Sequence, residues 1–167
     1  MNQATAIDED RIYEQWNQTS AMERSSNATT LNQRLAIGFA AGTVATVALV
    51  LFSHVLSWFG PAPKGPIHFP VSFAPPGIYG LLFWGGLWGL LFGFVIKPVW
   101  NRLYLVGFLY FLLPLAATFL FFLPKGGAGY FGLKVAEPMF PLYVMLVNVP
   151  FGITIALVAR AIIGKHR

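Results

Sequence analysis

Four long apolar stretches, at about 35–59, 77–96, 103–123 and 139–163, alternate with short polar or proline-rich segments, and a polar stretch precedes them all. None of the four contains a carboxylate. Each is roughly twenty residues or more, the length that a helix rising about 1.5 Å per residue needs to cross about 30 Å of hydrocarbon. The pattern predicts an all-α integral membrane protein with four transmembrane helices arranged as two antiparallel hairpins. Residues 1–30 form an arm, and 31–167 form the membrane domain.

The punctuation between the runs supports this division. Thr30-Leu31-Asn32-Gln33 has the spacing of a capping box and marks a helix start. Prolines at 61, 63, 66, 70, 75 and 76 exclude regular structure from 60–76, so this loop is expected outside the hydrocarbon. Lys97-Pro98 and a short basic turn through Arg102 force the next run to return antiparallel, and Pro124-Lys125-Gly126-Gly127 is expected to end it. Pro114 and Pro150 fall inside runs, where kinks are tolerable if neighbouring groups satisfy the freed carbonyls. Pro63-Lys64-Gly65 recurs as Pro124-Lys125-Gly126, a trace of either hairpin duplication or chance matching in loops.

The arm carries Asp8, Glu9, Asp10, Glu14 and Glu23 against Arg11 and Arg24. It lacks the basic start and immediate apolar stretch of a secretory signal, so it is expected to remain on the mature protein. Two readings of it stay open. One is a mostly disordered tail. The other is a short helix in which Ile12, Tyr13 and Trp16 lie on headgroups or on a protein partner, with the acids at its start.

Composition removes whole classes of function. Charged residues make up 10% of the chain, against roughly 25% in soluble domains, while 56% are hydrophobic, so water is not the main solvent. With no cysteine, disulfides, thiolate metal sites, iron–sulfur clusters and thiol nucleophiles are excluded. The net charge of +5 is no nucleic-acid footprint, because the basic residues stand singly at the ends of apolar runs. With the N-terminus inside, eight of them (Arg11, Arg24, Arg34, Lys97, Arg102, Arg160, Lys165, Arg167) lie inside and three (Lys64, Lys125, Lys134) outside. The positive-inside rule then puts both termini in the cytoplasm.

Candidate contacts and chemistry follow from the few unusual residues within the runs. Gly85, Gly89 and Gly93 recur every four residues, giving a smooth helix face, and Gly38, Gly42 and Thr46 form a complementary strip in the first run. Such strips let helices approach backbone to backbone, here as packing of the first two spans or as a homodimer seam. Trp84 and Trp88 are expected to anchor in the interfacial belt. His54 and Asn148 cannot rest cheaply in hydrocarbon and are expected to turn inward, near enough in depth to share a bridging water. They read either as interhelical hydrogen-bonding groups or as a proton or ligand site. With one histidine in a span and no intramembrane carboxylate, no haem, metal or other cofactor is expected, and no catalysis.

The stretch Phe83-Trp84-Gly85-Gly86-Leu87-Trp88-Gly89, behind a proline-rich loop and a first span that opens on Arg34-Leu35, resembles that of a group of small uncharacterised four-span bacterial inner-membrane proteins. The resemblance runs from about 34 to 160 and implies the fold and a bacterial inner membrane, with no activity attached. Two functions are therefore expected to compete. One is a non-catalytic accessory subunit that packs against other membrane protein subunits as well as lipid. The other is a small channel or transporter that uses His54 and Asn148.

Overall fold

The computed structural model describes residues 9–27 and 30–164. Asp8, Lys165 and Arg167 lie outside that range, as do the side chains of Glu9, Asp10, Glu23 and Arg24. The arm forms a helix, α1 (Glu9–Asn27), longer than the short segment expected around Ile12 to Trp16. After it, Thr30 caps α2 (Leu31–Ser57) as its residue types require. The Thr30 side chain accepts from the Gln33 amide at 3.3 Å, and the Gln33 side chain accepts from the Thr30 amide at 2.9 Å. Two of the four donors that a helix start leaves free are thereby satisfied.

Three further long helices complete the bundle: α3 (Gly77–Val95), α4 (Trp100–Lys125) and α5 (Phe140–Gly164). All four from α2 to α5 are long and apolar enough to cross a bilayer, and no strand occurs among the described residues. Large apolar side chains such as Leu51, Leu91, Leu105, Leu120, Leu146 and Leu157 cover the outside of the bundle. A surface of that kind is matched to lipid tails, since a water-soluble monomer rarely exposes large contiguous apolar patches. The chain is a multi-pass membrane protein.

Span α4 is irregular along its length. It opens with a 3-10 turn at Trp100–Arg102 and breaks briefly after Tyr110. It then passes through a π-helical turn at Thr118–Phe122, in which the Leu123 amide reaches back five residues to the Thr118 carbonyl. The span ends at Lys125, within the Pro124-Lys125-Gly126-Gly127 stretch expected to end it. Proline lacks an amide to donate, and at the start of a final turn that missing donor is cheap. Pro150 sits inside α5 without ending it.

Packing order differs from chain order. Helix α2 is central, with α3 and α5 both against it, and α4 packs on α5. Ala41 and Ala45 of α2 join Phe92, Phe140, Val144, Phe151, Ile155 and Ala159 in one buried core. Helices α3 and α4, though joined by the shortest turn, meet mainly through large side chains: the Phe92 and Tyr110 rings at 4.9 Å and the Trp84 and Phe122 rings at 5.9 Å. The bundle therefore has a terminal face, where α2 starts and α5 ends, and a loop face built from 58–76 and 126–139.

The two similar tripeptides play different parts. Pro63-Lys64 is non-helical chain whose Lys64 carbonyl accepts from the Glu137 amide at 3.0 Å, joining the two loops, whereas Pro124-Lys125 lies within the last helical turn of α4. Nothing in the local geometry equates them.

Candidate functional site

The closest backbone approach joins α2 to α3. A Cβ added at Gly42 would come to 2.6 Å from the Gly89 Cα, and one at Gly89 to 2.7 Å from the Gly42 Cα. Gly38 faces Gly89 and Gly93, Gly85 faces Thr46, and a Cβ at Gly93 would meet the Arg34 carbonyl at 2.7 Å. With no Cβ atoms between them, the helices gain van der Waals contact along the whole strip. The Thr46 hydroxyl donates to the Gly42 carbonyl at 2.9 Å, so it brings no unpaired donor into the seam.

A second seam of the same kind joins α4 and α5. Gly107 lies against Ala156 and the Gly152 carbonyl, and a Cβ at Gly152 would meet the Gly107 carbonyl at 2.6 Å. The sequence reading missed it. Its signal is the pair Gly152 and Ala156, four apart, opposite a lone glycine in the preceding span.

His54 and Asn148 take separate partners. The His54 Nε2 pairs with the Val71 carbonyl at 3.0 Å, and its ring stacks on Phe73 with centroids 5.5 Å apart. The neighbouring Ser53, fully buried, accepts from the Val71 amide at 3.0 Å and donates to the Val50 carbonyl at 2.7 Å. Both backbone groups of Val71 are thus held at the end of α2. His54 works with Ser53 as a clamp on the proline-rich loop.

Asn148 was expected to need a partner across the bundle, yet its Nδ2 donates to the Val144 carbonyl one turn back in its own helix, at 2.8 Å. A carboxamide can bond back to an i−4 carbonyl as a hydroxyl does, and the expectation allowed that route only to hydroxyls. Each side chain is bonded to a main-chain carbonyl on a different element.

Phe69 crosses the loop face to lie edge-on to Tyr143 at 5.1 Å and tilted against Phe140 at 6.5 Å. Beside it, Pro61, Pro63, Glu137, Met139, Leu142, Tyr143 and Leu146 line an open groove of about 390 Å³. Its lining is mostly apolar and continues onto the outward side of α5, where Met139, Leu142 and Leu146 are exposed.

On α1, Ile12, Tyr13 and Trp16 are 54%, 70% and 70% exposed, so this apolar patch lies open on an otherwise polar helix. On the terminal face, the Arg160 guanidinium stands 4.8 Å from the centre of the Tyr104 ring and 5.5 Å from that of Trp100. Among the described residues, no group of three histidine, aspartate or glutamate side chains is gathered as a metal site would require. No protein-family model, curated protein or solved structure matches this chain.

Proposed function

We propose that this chain is a non-catalytic accessory subunit of a larger protein complex in a bacterial inner membrane, with both termini cytoplasmic and α1 docking on a partner. The observation that carries this reading is the exposure of Ile12, Tyr13 and Trp16 together on α1. Two aromatic rings and an isoleucine on one patch have the composition of an interface anchor, and the carboxylates on the same arm suit a basic partner surface. An acidic helix is repelled by anionic lipid, which favours a protein as the occupant. The basic bias along the chain supports the orientation, and the FWGGLWG-type span supports the membrane.

The channel reading has less to rest on. The His54 and Asn148 hydrogen bonds end on main-chain carbonyls, and among the described residues neither side chain has a carboxylate as partner. Ion and proton pathways are usually lined by such charges.

The test is copurification in mild detergent, with mass spectrometry of what accompanies the full-length protein and a variant lacking residues 1–26. The full-length protein should bring a defined partner, released by truncation, by Trp16→Ala and by high salt. Full-length protein that runs alone, or truncation that changes nothing, would sink the subunit reading. Reporter fusions at Lys64 and Lys134 should behave as external.

A further inference from the structure

Every helix of the bundle contributes a cation to the terminal face: Arg34 at the start of α2, Lys97 just past α3, Arg102 in the first turn of α4, and Arg160 near the end of α5. Among the described residues, none of the four has an ion pair or a side-chain hydrogen bond to another group. The Arg34 Nε is buried and has no partner. Lys97 and Arg102 are exposed, whereas Arg34 and Arg160 are half-buried, and half-buried charge at the edge of a low-dielectric slab is costly without a counter-charge.

The corner between α4 and α5 is built for a particular anion. The Arg160 guanidinium lies over the rings of both Trp100 and Tyr104, which are four apart on α4. Among the described residues the guanidinium has no hydrogen-bond or ion-pair partner, so its N–H groups are available for the bidentate pairing by which arginine recognises phosphate oxygens. Arg102, two residues from each ring, is exposed on a different side of α4 and is not part of this corner. Tyr104 and Leu105 are also exposed, where the apolar surface of α4 meets this basic rim. Rings at that level mark the boundary between headgroups and tails.

We propose that the Trp100–Tyr104–Arg160 corner is a binding site for the phosphate of an anionic phospholipid whose tails lie along the exposed apolar side of α4. The ligand is lipid rather than free phosphate because the corner opens onto that apolar side, which inorganic phosphate cannot use. The site is independent of α1 and of the partner assigned to it.

The test is native mass spectrometry of the full-length protein from detergent micelles doped with equal phosphatidylglycerol and phosphatidylcholine, repeated with inorganic phosphate in excess. The wild type should retain phosphatidylglycerol preferentially. Arg160→Gln should reduce that preference about fivefold, the ratio expected for one surface cation near an anionic headgroup, and Tyr104→Leu, which removes the nearer ring, should shift it in the same direction. Lys64→Gln, on the loop face, should leave it unchanged. Tyr104 is half exposed, so its variant tests the site even where Arg160→Gln fails to fold. Equal retention of the two lipids, a preference that survives both Arg160→Gln and Tyr104→Leu, or displacement of phosphatidylglycerol by inorganic phosphate would overturn the proposal. So would a finding that Arg160→Gln abolishes self-association and leaves lipid retention intact, since the counter-charge would then be an acidic segment of a second copy.

Discussion

Helix α3 is held in two different ways on its two sides. Toward α2 it presents Gly85, Gly89 and Gly93, and the two backbones touch with nothing between them. Toward α4 it presents Trp84, Trp88 and Phe92, and large rings span a wider gap. The difference follows from the solvent. Lipid tails are as apolar as leucine, so burial alone gives membrane helices little reason to associate. Contact must come from close van der Waals approach or from hydrogen bonds. The glycine side uses the first; on the aromatic side, the Tyr110 hydroxyl donates to the Trp88 carbonyl at 2.6 Å. One seam is intolerant of added atoms, and the other depends on particular groups.

The largest effect should come from adding atoms to the first seam. Gly89→Leu would drive a side chain into the Gly38 carbonyl and the Gly42 backbone, and no flexible neighbour can yield. We expect a loss of about 3 kcal/mol or more, read as a large fall in the thermal midpoint in detergent. Gly80→Leu, which has open space at its Cβ, should leave the midpoint nearly unchanged. Equal behaviour of the two variants would remove the asymmetry between the sides of α3.

Gly152→Leu asks whether the α4–α5 seam belongs to the same class. Its Cβ would approach the carbonyls of Gly107 and Phe108 at 2.6 and 2.7 Å, so overpacking of about 1–3 kcal/mol is expected. This seam is shorter than the strip between α2 and α3, which places its effect below that of Gly89→Leu. A neutral Gly152→Leu would mean that α4 is held by side chains alone.

How much of this was legible in the sequence depends on the distance over which each signal acts. The four apolar runs and the Thr30–Gln33 box are local patterns that carry their own reason, so the spans and the start of α2 follow from residue type. The strips at Gly38, Gly42, Gly85, Gly89 and Gly93 announce a close approach because only small residues at that spacing allow one. What stayed hidden lies in non-periodic segments or in a choice between equivalent bonds. Val71 sits 17 residues from His54 in a loop without repeat, so nothing local indicated that the histidine would clamp a backbone carbonyl. The π turn at Thr118–Phe122 interrupts a uniformly apolar run, and nothing in the residue pattern marks it. The Gly107–Gly152 contact showed only single glycines, one in each span.

Among the hydrogen-bond contributions, Tyr110→Phe should cost about 0.5–1.5 kcal/mol, since it removes a bond between two helices and leaves the Trp88 carbonyl with one acceptor role unused. Asn148→Leu should cost least. Both Tyr110 and Asn148 donate to a main-chain carbonyl at close range, but Asn148 bonds within α5, so its loss separates no helix from another. The side chain is only partly buried, and leucine has similar size in an apolar setting. The Val144 carbonyl remains available for its own helical bond, so no buried group becomes an orphan. We expect a change within about 0.5 kcal/mol, close to the small average measured for polar contacts in membrane bundles. Thermal midpoints of Tyr110→Phe, Asn148→Leu and the wild type in one detergent would settle the ranking. If Asn148→Leu fell further than Tyr110→Phe, Asn148 would have to carry a second partner, a water or a ligand reached from another helix, and the case for a polar site inside the bundle would reopen.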